Sequence, residues 1–241
     1  MNNLFFALGF LTSIPVRTPA PQRGDLGRAG VWFPSVGLLL GAILAGAHYA
    51  LNQVFSPLLS AALSVALWAL LTGGLHLDGL ADCGDGLLAA VSPERRLEIM
   101  RDPRLGTFGG AALILQLLLK TFAIASLPVP SSVAFLLAPS IARWLILIVA
   151  AQPSARPGGM GEAFKQGLNR TVYVGAAIVP IVLIGLGGWR AINAVVLVHV
   201  AAWGIIRLTR SRLGGVTGDV FGLTVEVSEL IVLLVFAATV H

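Results

Sequence analysis

Long runs of apolar residues alternate with short polar segments along nearly the whole chain. An α-helix needs about 20 mostly apolar residues to cross the hydrocarbon core of a bilayer. Seven runs approach this length, and we predict a membrane-spanning helix for each. They cover residues 31–53, 57–75, 108–127, 132–151, 172–189, 191–206 and 224–240. The run at residues 4–14 is shorter, so we predict an interfacial or re-entrant helix there. The pattern predicts an all-α, polytopic transmembrane helical bundle.

Composition supports an integral membrane protein that forms a single domain over residues 1–241. Hydrophobic residues make up 56% of the chain and charged residues only 11%, whereas soluble domains carry about 25% charged residues. The net charge of +5 would suggest a nucleic-acid partner in a soluble protein. Here we expect no nucleic acid, because basic residues are typical of loops on the cytoplasmic side of a membrane protein. We expect the protein to be embedded in a lipid bilayer.

The distribution of basic residues predicts the topology. Four polar loops, at residues 15–30, 76–107, 152–171 and 207–223, carry thirteen of the sixteen Lys and Arg residues. Alternating spans place these four loops on one side, and an excess of Lys and Arg marks the cytoplasmic side. The predicted outer turns carry only Arg190. All conspicuous polar motifs therefore face the cytoplasm in this topology.

The segment at residues 73–109 contains six of the eleven acidic residues. Asp78, Asp82 and Asp85 are spaced i, i+4, i+7, which places three carboxylates on one face of a helix. Such like charges repel each other, and a divalent cation would remove the repulsion. Mg²⁺ suits this setting because it uses few carboxylates, several waters and phosphate oxygens. The alternative interpretation is a solvated acidic face at the membrane edge.

The roles of the other residues in this segment are less clearly predicted by the sequence. His76 could bind the metal, donate to a phosphate, act as a base or be purely structural. Cys83 points away from the aspartate face and is predicted to pack. Three glycines interrupt this segment, and their lack of a side chain predicts a close approach of the backbone to a ligand. They are Gly79, Gly84 and Gly86.

Basic residues follow the acidic ones closely in sequence. Arg101 and Arg104 are predicted to bind phosphate, because a guanidinium pairs well with phosphate oxygens. Asp102 is a further candidate metal ligand, or it orients an arginine. Gly106 and Thr107 precede the next span, where free backbone N–H groups at a helix start could bind an anion of the substrate.

A second motif, GGVTGDVFG, precedes the last span. Asp219 is a candidate ligand to the same metal, and Thr217 and Gly218 are candidate substrate-binding residues. Arg143 lies inside a predicted span and needs a partner, which could be an acidic residue or a substrate phosphate. Lys120 is predicted to extend toward the membrane surface.

Acidic and basic groups on the predicted cytoplasmic face, together with Mg²⁺, are typical of sites that catalyse phosphoryl transfer. Three segments also resemble the signatures of a known family, cobalamin synthase or adenosylcobinamide-GDP ribazoletransferase. They are TGGLHLDGLADCGDGL, RRLEIMRDPRLGTFGG and RLGGVTGDVFG. WFPSVGLLLGA and ARPGGMGEAF fit the same family pattern, so the resemblance runs through the whole chain.

The resemblance implies a Mg²⁺-dependent, multi-pass enzyme of the bacterial inner membrane, with its active site facing the cytoplasm. The implied reaction joins adenosylcobinamide-GDP to α-ribazole or its 5′-phosphate, which gives adenosylcobalamin or its 5′-phosphate, and GMP. Arg101 and Arg104 would neutralise charge, and one of the aspartates, with Asp82 a candidate, or His76 would accept the hydroxyl proton. A homo-oligomer, or association with other enzymes of late vitamin B12 synthesis, is left open.

Two other functions fit parts of the pattern. A CDP-alcohol type of phosphotransferase also places spaced aspartates on a helix face, but in a different residue order and without the Thr-Gly-Asp segment. A cation transporter would usually place its ligands near the bilayer midplane on broken helices of an internal repeat. The acidic residues here cluster at one face, and no repeat is evident.

Overall fold

The computed structural model describes residues 3–17, 22–128 and 132–238. These residues form eleven α-helices, and a single 3₁₀ turn at Gly30–Trp32 joins the second helix to the third. The α-helices are α1 (Asn3–Leu11), α2 (Asp25–Ala29), α3 (Phe33–Asn52), α4 (Pro57–Thr72), α5 (Leu75–Leu88), α6 (Pro93–Ile99), α7 (Thr107–Ala125), α8 (Ser132–Ala150), α9 (Met160–Lys165), α10 (Arg170–Leu213) and α11 (Gly218–Ala237).

The helices confirm the predicted all-α membrane bundle. Five stretches are long and apolar enough to cross a membrane: Asp25–Asn52, Thr107–Ala125, Ser132–Ala150, Arg170–Leu213 and Gly218–Ala237. α4 and α5 pass the same test only as a pair, and they are bent by 93° at their junction. α10 has a non-helical break at Gly188, with φ 59° and ψ −146°, and contains both spans predicted between residues 172 and 206. The predicted number of seven spans stays a prediction.

Several predicted loop boundaries were wrong. The 207–223 loop is much shorter, because α10 continues to Leu213 and α11 begins at Gly218. The other three polar loops contain the short helices α2, α6 and α9 and the site helix α5. α1 matches the predicted short N-terminal helix, whose interfacial or re-entrant position stays a prediction. Residues 18–21 of the first loop and residues 239–240 of the last predicted span lie outside the described residues.

α8 is the central helix of the bundle, and it packs against α3, α10 and α11. α3 approaches α8 most closely at two glycines. A Cβ atom at Gly37 would lie 2.4 Å from the Pro139 carbonyl oxygen, and one at Gly41 would lie 2.3 Å from that of Phe135. Small residues allow such close packing of helices in a bilayer. At Gly46, on the same helix, an added Cβ would meet no atom of another described segment within 4 Å.

These glycines provide a matched test of the packing. Gly41→Ala is expected to lower the free energy of unfolding by about 1–3 kcal/mol, since the new methyl group meets backbone that must move. Gly46→Ala is expected to be neutral or to stabilise by up to about 1 kcal/mol, because alanine favours helix and nothing obstructs it. Thermal unfolding of the purified variants in lipid measures both. Equal stability of the two variants would contradict this packing.

Candidate active site

The sharp turn between α4 and α5 positions the aspartate helix. Gly73 and Gly74 have φ values of 61° and 70°, a left-handed conformation that glycine adopts without steric cost. α5 therefore turns away from α4 and lies outside the five candidate spans. Its helical structure confirms the predicted common face for its three aspartates. Cys83 is buried, which confirms that it packs.

α5 crosses the start of α11 at two glycines. A Cβ atom at Gly79 would lie 2.7 Å from the Asp219 carbonyl oxygen, and one at Gly222 would lie 2.9 Å from that of His76. Because neither glycine has a side chain, the backbones meet, and Asp219 comes next to the aspartate helix. The close approach at Gly79 is to another helix, and because Gly79 also lines a cavity beside Asp78, its approach to a ligand stays a prediction. Gly84 and Gly86 likewise face protein atoms, of α7 and of Met100.

Two arginines bind the carbonyl groups at the end of α5. Arg96 is buried and donates to the carbonyl oxygens of Gly86 and Leu87, at 3.0 and 2.6 Å. Arg212 donates to the same Leu87 oxygen at 2.7 Å. The last carbonyls of a helix lack intrahelical partners and carry partial negative charge, so cations stabilise them. Arg96 and Arg212 therefore stabilise the C-terminal end of α5.

A short contact between two polar loops brings an additional arginine to the site. Ala155 donates its backbone N–H to the Val216 carbonyl oxygen at 2.9 Å. As a result, the Arg156 guanidinium lies 3.5 Å from Oδ2 of Asp219, and its Nε is buried without a hydrogen-bond partner. Thr217 donates to the same Oδ2 at 3.1 Å. Sequence analysis did not select Arg156, although the ARPGGMGEAF motif that contains it was noted.

The side chain of Asp85, on α5, binds the N-terminus of α7. Its carboxylate accepts hydrogen bonds from the backbone N–H groups of Gly106, at 2.8 Å, and Gly109, at 2.9 Å. The anion at this helix start is thus a side chain of the protein itself. Substrate binding by Gly106 and Thr107, and metal binding by Asp85, stay predictions.

An open cavity of about 790 Å³ collects five of the predicted site residues: Asp78, Asp82, Arg101, Asp102 and Arg104. Asp102 accepts from the Arg104 Nε at 2.9 Å and from Nη2 at 2.6 Å. These hydrogen bonds lower the pKa of Asp102 to about 2. The structure thus supports the orienting role for Asp102, while a role as metal ligand stays a prediction.

A smaller cavity of about 90 Å³ lies on the other side of Asp78. His76, Gly218 and Asp219 line it together with Asp78, and Phe10 of α1 forms part of its wall. Asp78 therefore faces both cavities. The two sequence motifs that contain Asp78 and Asp219 meet at this point, 141 positions apart in the chain.

Burial, followed by the neighbouring Asp78 and Asp219 carboxylates, raises the pKa of Asp82 to about 7. A divalent cation would relieve this repulsion. In the described part of the chain, no group of three His, Cys, Asp or Glu side chains is arranged to hold a metal ion. Mg²⁺ takes only one or two carboxylates beside substrate phosphates, so Asp78 and Asp219 fit it.

Behind the site, charged side chains are buried inside the bundle. Glu229 pairs with Arg143 through Oε1 and with Lys120 through Oε2, the latter at 2.6 Å. Lys120 also pairs with Glu226 at 3.0 Å. The prediction that Lys120 extends to the membrane surface was wrong, because these carboxylates neutralise it internally. Of the two partners considered for Arg143, the structure shows the acidic one, and its substrate contact stays a prediction.

This buried network contacts the active site through His76. Nη2 of Arg143 lies 3.4 Å from Nδ1 of His76. An arginine can only donate hydrogen bonds, so Nδ1 accepts and the neutral imidazole carries its proton on Nε2. His76 also lines the smaller cavity. In this tautomer it can donate a hydrogen bond through Nε2 but cannot accept a proton there.

The chain was compared with known proteins. The model of a family described as cobalamin-5-phosphate synthase matches residues 3–237. The chain belongs to this family. Proteins named adenosylcobinamide-GDP ribazoletransferase are similar over nearly their full length. One from Pseudomonas savastanoi pv. phaseolicola is 40% identical over 97% of this chain and 98% of its own. One from Brevibacillus brevis is 35% identical over 99% of both.

The family match agrees with the resemblance seen in the motifs. A relative of the same name from Desulfitobacterium hafniense is 38% identical over 97% of this chain and 96% of its own. No solved structure matches the chain. As in other members of the cobalamin-5-phosphate synthase family, small molecules are the substrates, and the apolar helices make the chain a membrane protein.

Proposed function

We propose that the chain joins adenosylcobinamide-GDP to α-ribazole, or to its 5′-phosphate, and releases GMP. The reaction completes the nucleotide loop in cobalamin biosynthesis. The full-length family match supports the reaction. The observation that carries the chemistry is the meeting of Asp78, Asp82 and Asp219 with Arg101 and Arg156. Such a site combines carboxylates for a metal with cations for a diphosphate.

In this proposal, Asp78 and Asp219 hold Mg²⁺. Bound there, Mg²⁺ would supply charge neutralisation at the diphosphate and at the leaving phosphate oxygen. Asp85 and Asp102 are less suited, because both oxygens of each accept hydrogen bonds, whereas the contacts of Asp219 with Thr217 and Arg156 use Oδ2 alone. Thr217 and Gly218 contribute by positioning Asp219 at the start of α11.

The remaining residues bind phosphate and move a proton. A ribose hydroxyl of α-ribazole attacks the phosphorus attached to cobinamide, and the bond to the GMP oxygen breaks. Asp82 accepts the hydroxyl proton, because burial, the largest cause of the raised pKa of this carboxyl, makes it a stronger base also when Mg²⁺ occupies its neighbours. His76 donates to a phosphate oxygen through Nε2. The cations that neutralise the diphosphate are Arg101, Arg104 and Arg156.

We also propose that the protein resides in the bacterial inner membrane with this site facing the cytoplasm. The concentration of basic residues in the loops that carry the site supports this orientation. Reaction with a membrane-impermeant, arginine-directed reagent in inside-out vesicles would test it. Association with itself or with other enzymes of the pathway stays a prediction.

The decisive assay measures GMP release from adenosylcobinamide-GDP by the purified protein in lipid. We expect release only when both α-ribazole and Mg²⁺ are present. Release without α-ribazole would indicate a hydrolase instead. No release by folded protein would contradict the proposal, and cation flux in proteoliposomes or transfer from a CDP-alcohol would then decide between the alternatives.

A further inference from the structure

A third cavity, of about 590 Å³, lies beside the proposed reaction site. Its apolar wall includes Phe6 and Phe10 of α1, and its polar residues come from the segment before α2 and from α9. Phe10 also lines the small cavity that contains Asp78 and Asp219. The two cavities therefore adjoin each other at Phe10.

Glycine contacts fix the polar wall of this cavity. A Cβ atom at Gly27 of α2 would lie 2.3 Å from the Phe164 carbonyl oxygen of α9, and one at Gly167 would lie 2.0 Å from that of Gly24. Asp25 accepts from the Gln22 backbone N–H at 2.8 Å and closes the turn that precedes α2. Because backbone meets backbone here, the cavity is largely preformed, as small-molecule sites usually are.

Two charged side chains of opposite sign face this cavity with unused hydrogen-bonding capacity. Glu162 accepts the Gly158 backbone N–H at Oε2, at 2.7 Å, which leaves Oε1 available among the described residues. Arg23 donates from Nε to the Gln166 side-chain oxygen at 3.0 Å. Its terminal nitrogens have no carboxylate partner in the part of the chain that the structure describes. The cavity thus offers one acceptor group, one donor group and two aromatic rings.

We propose that this cavity binds the guanine base of the nucleotide substrate, with Glu162 accepting from the base and Arg23 donating to it. The inference rests on the proposed function, because the guanine belongs to the GDP group. Guanine presents an N1–H and an exocyclic amine as donors, and O6 and N7 as acceptors. These match a carboxylate and a guanidinium, respectively. The Phe6 and Phe10 rings provide an apolar surface against which a planar base packs.

Other bases fit this cavity less well. Adenine has an unprotonated N1 where guanine has a donor, so it would direct a lone pair at the Glu162 carboxylate. The benzimidazole of α-ribazole has no exocyclic donor for that carboxylate. Since a well-placed pair of hydrogen bonds discriminates between bases, Glu162 would be the main residue that selects guanine.

The test compares Glu162→Gln with wild type in lipid nanodiscs. The amide retains an oxygen for the Gly158 N–H but cannot accept from both guanine donors. We expect GMP affinity to fall about 10- to 100-fold and the KM for adenosylcobinamide-GDP to rise similarly. Weak AMP binding and kcat should change little, because Glu162 does not touch the reacting phosphorus. Glu98→Gln, an exposed carboxylate on α6, is the matched control.

Each outcome has a distinct meaning. An unchanged GMP affinity and KM in Glu162→Gln would overturn the guanine site while leaving the transfer reaction intact. A raised KM for α-ribazole alone would also overturn it and would assign the cavity to the acceptor base. If wild-type protein binds GMP in a Glu162-dependent manner but never releases it from the substrate, the guanine site stands and the proposed reaction fails.

Discussion

Asp82→Asn is expected to lower the rate of GMP release by about 10²–10⁴-fold, the range that loss of a general base produces. Asp82 lies on the open cavity with Asp78 and Arg101, and burial raises the pKa of its carboxyl, which makes it a stronger base. The amide has nearly the same shape but neither the basic oxygen nor the charge. Turnover is measured at saturating substrates and Mg²⁺.

The same variant is expected to fold normally. Burial and the neighbouring Asp78 and Asp219 carboxylates disfavour the charged form of Asp82, so a neutral amide removes repulsion from the folded protein. Its thermal unfolding temperature in lipid should equal or exceed that of wild type. Glu98→Gln, which also converts a carboxylate to an amide but on the exposed α6, should retain full activity. Full activity of Asp82→Asn would contradict the assigned role.

Glu229→Gln is expected to cause the largest loss of stability, about 3–5 kcal/mol, because breaking a buried ion pair leaves an uncompensated charge. Both of its oxygens are used, one by Arg143 and one by Lys120. All three side chains are almost completely inaccessible to solvent. Without the Glu229 charge, Lys120 keeps Glu226 as a partner, whereas Arg143 loses its carboxylate. The thermal unfolding temperature should fall on the order of 10 °C.

A double variant separates charge from packing. Glu229→Gln combined with Arg143→Met removes one anion and one cation, so the buried region regains neutrality. Part of the lost stability should return, as expected when a buried pair is replaced by uncharged groups. If Glu229→Gln alone unfolds at the wild-type temperature, the buried ion pair does not stabilise the fold. The same holds if the double variant loses more stability than Glu229→Gln and Arg143→Met lose together as single variants.

The sequence alone determined the features that depend on local pattern. The lengths of the apolar runs predicted the membrane helices, because each must cross a layer of fixed thickness. The i, i+4, i+7 spacing predicted the common face of the three aspartates on α5, because helical periodicity depends only on neighbouring residues. The packing of Cys83 followed from the same geometry. The family signature added the reaction, which residue spacing by itself left open.

Only the tertiary structure decided which distant groups meet. Glu229 pairs with Arg143 across 86 positions of the chain, and no local pattern encodes such a contact. Arg156 reaches Asp219 because one loop hydrogen-bonds to another. Gly79 and Gly222 let two helix backbones touch, where the sequence suggested a ligand. In each case the partner is selected by helix packing, which depends on the whole bundle, whereas periodicity and composition describe one segment at a time.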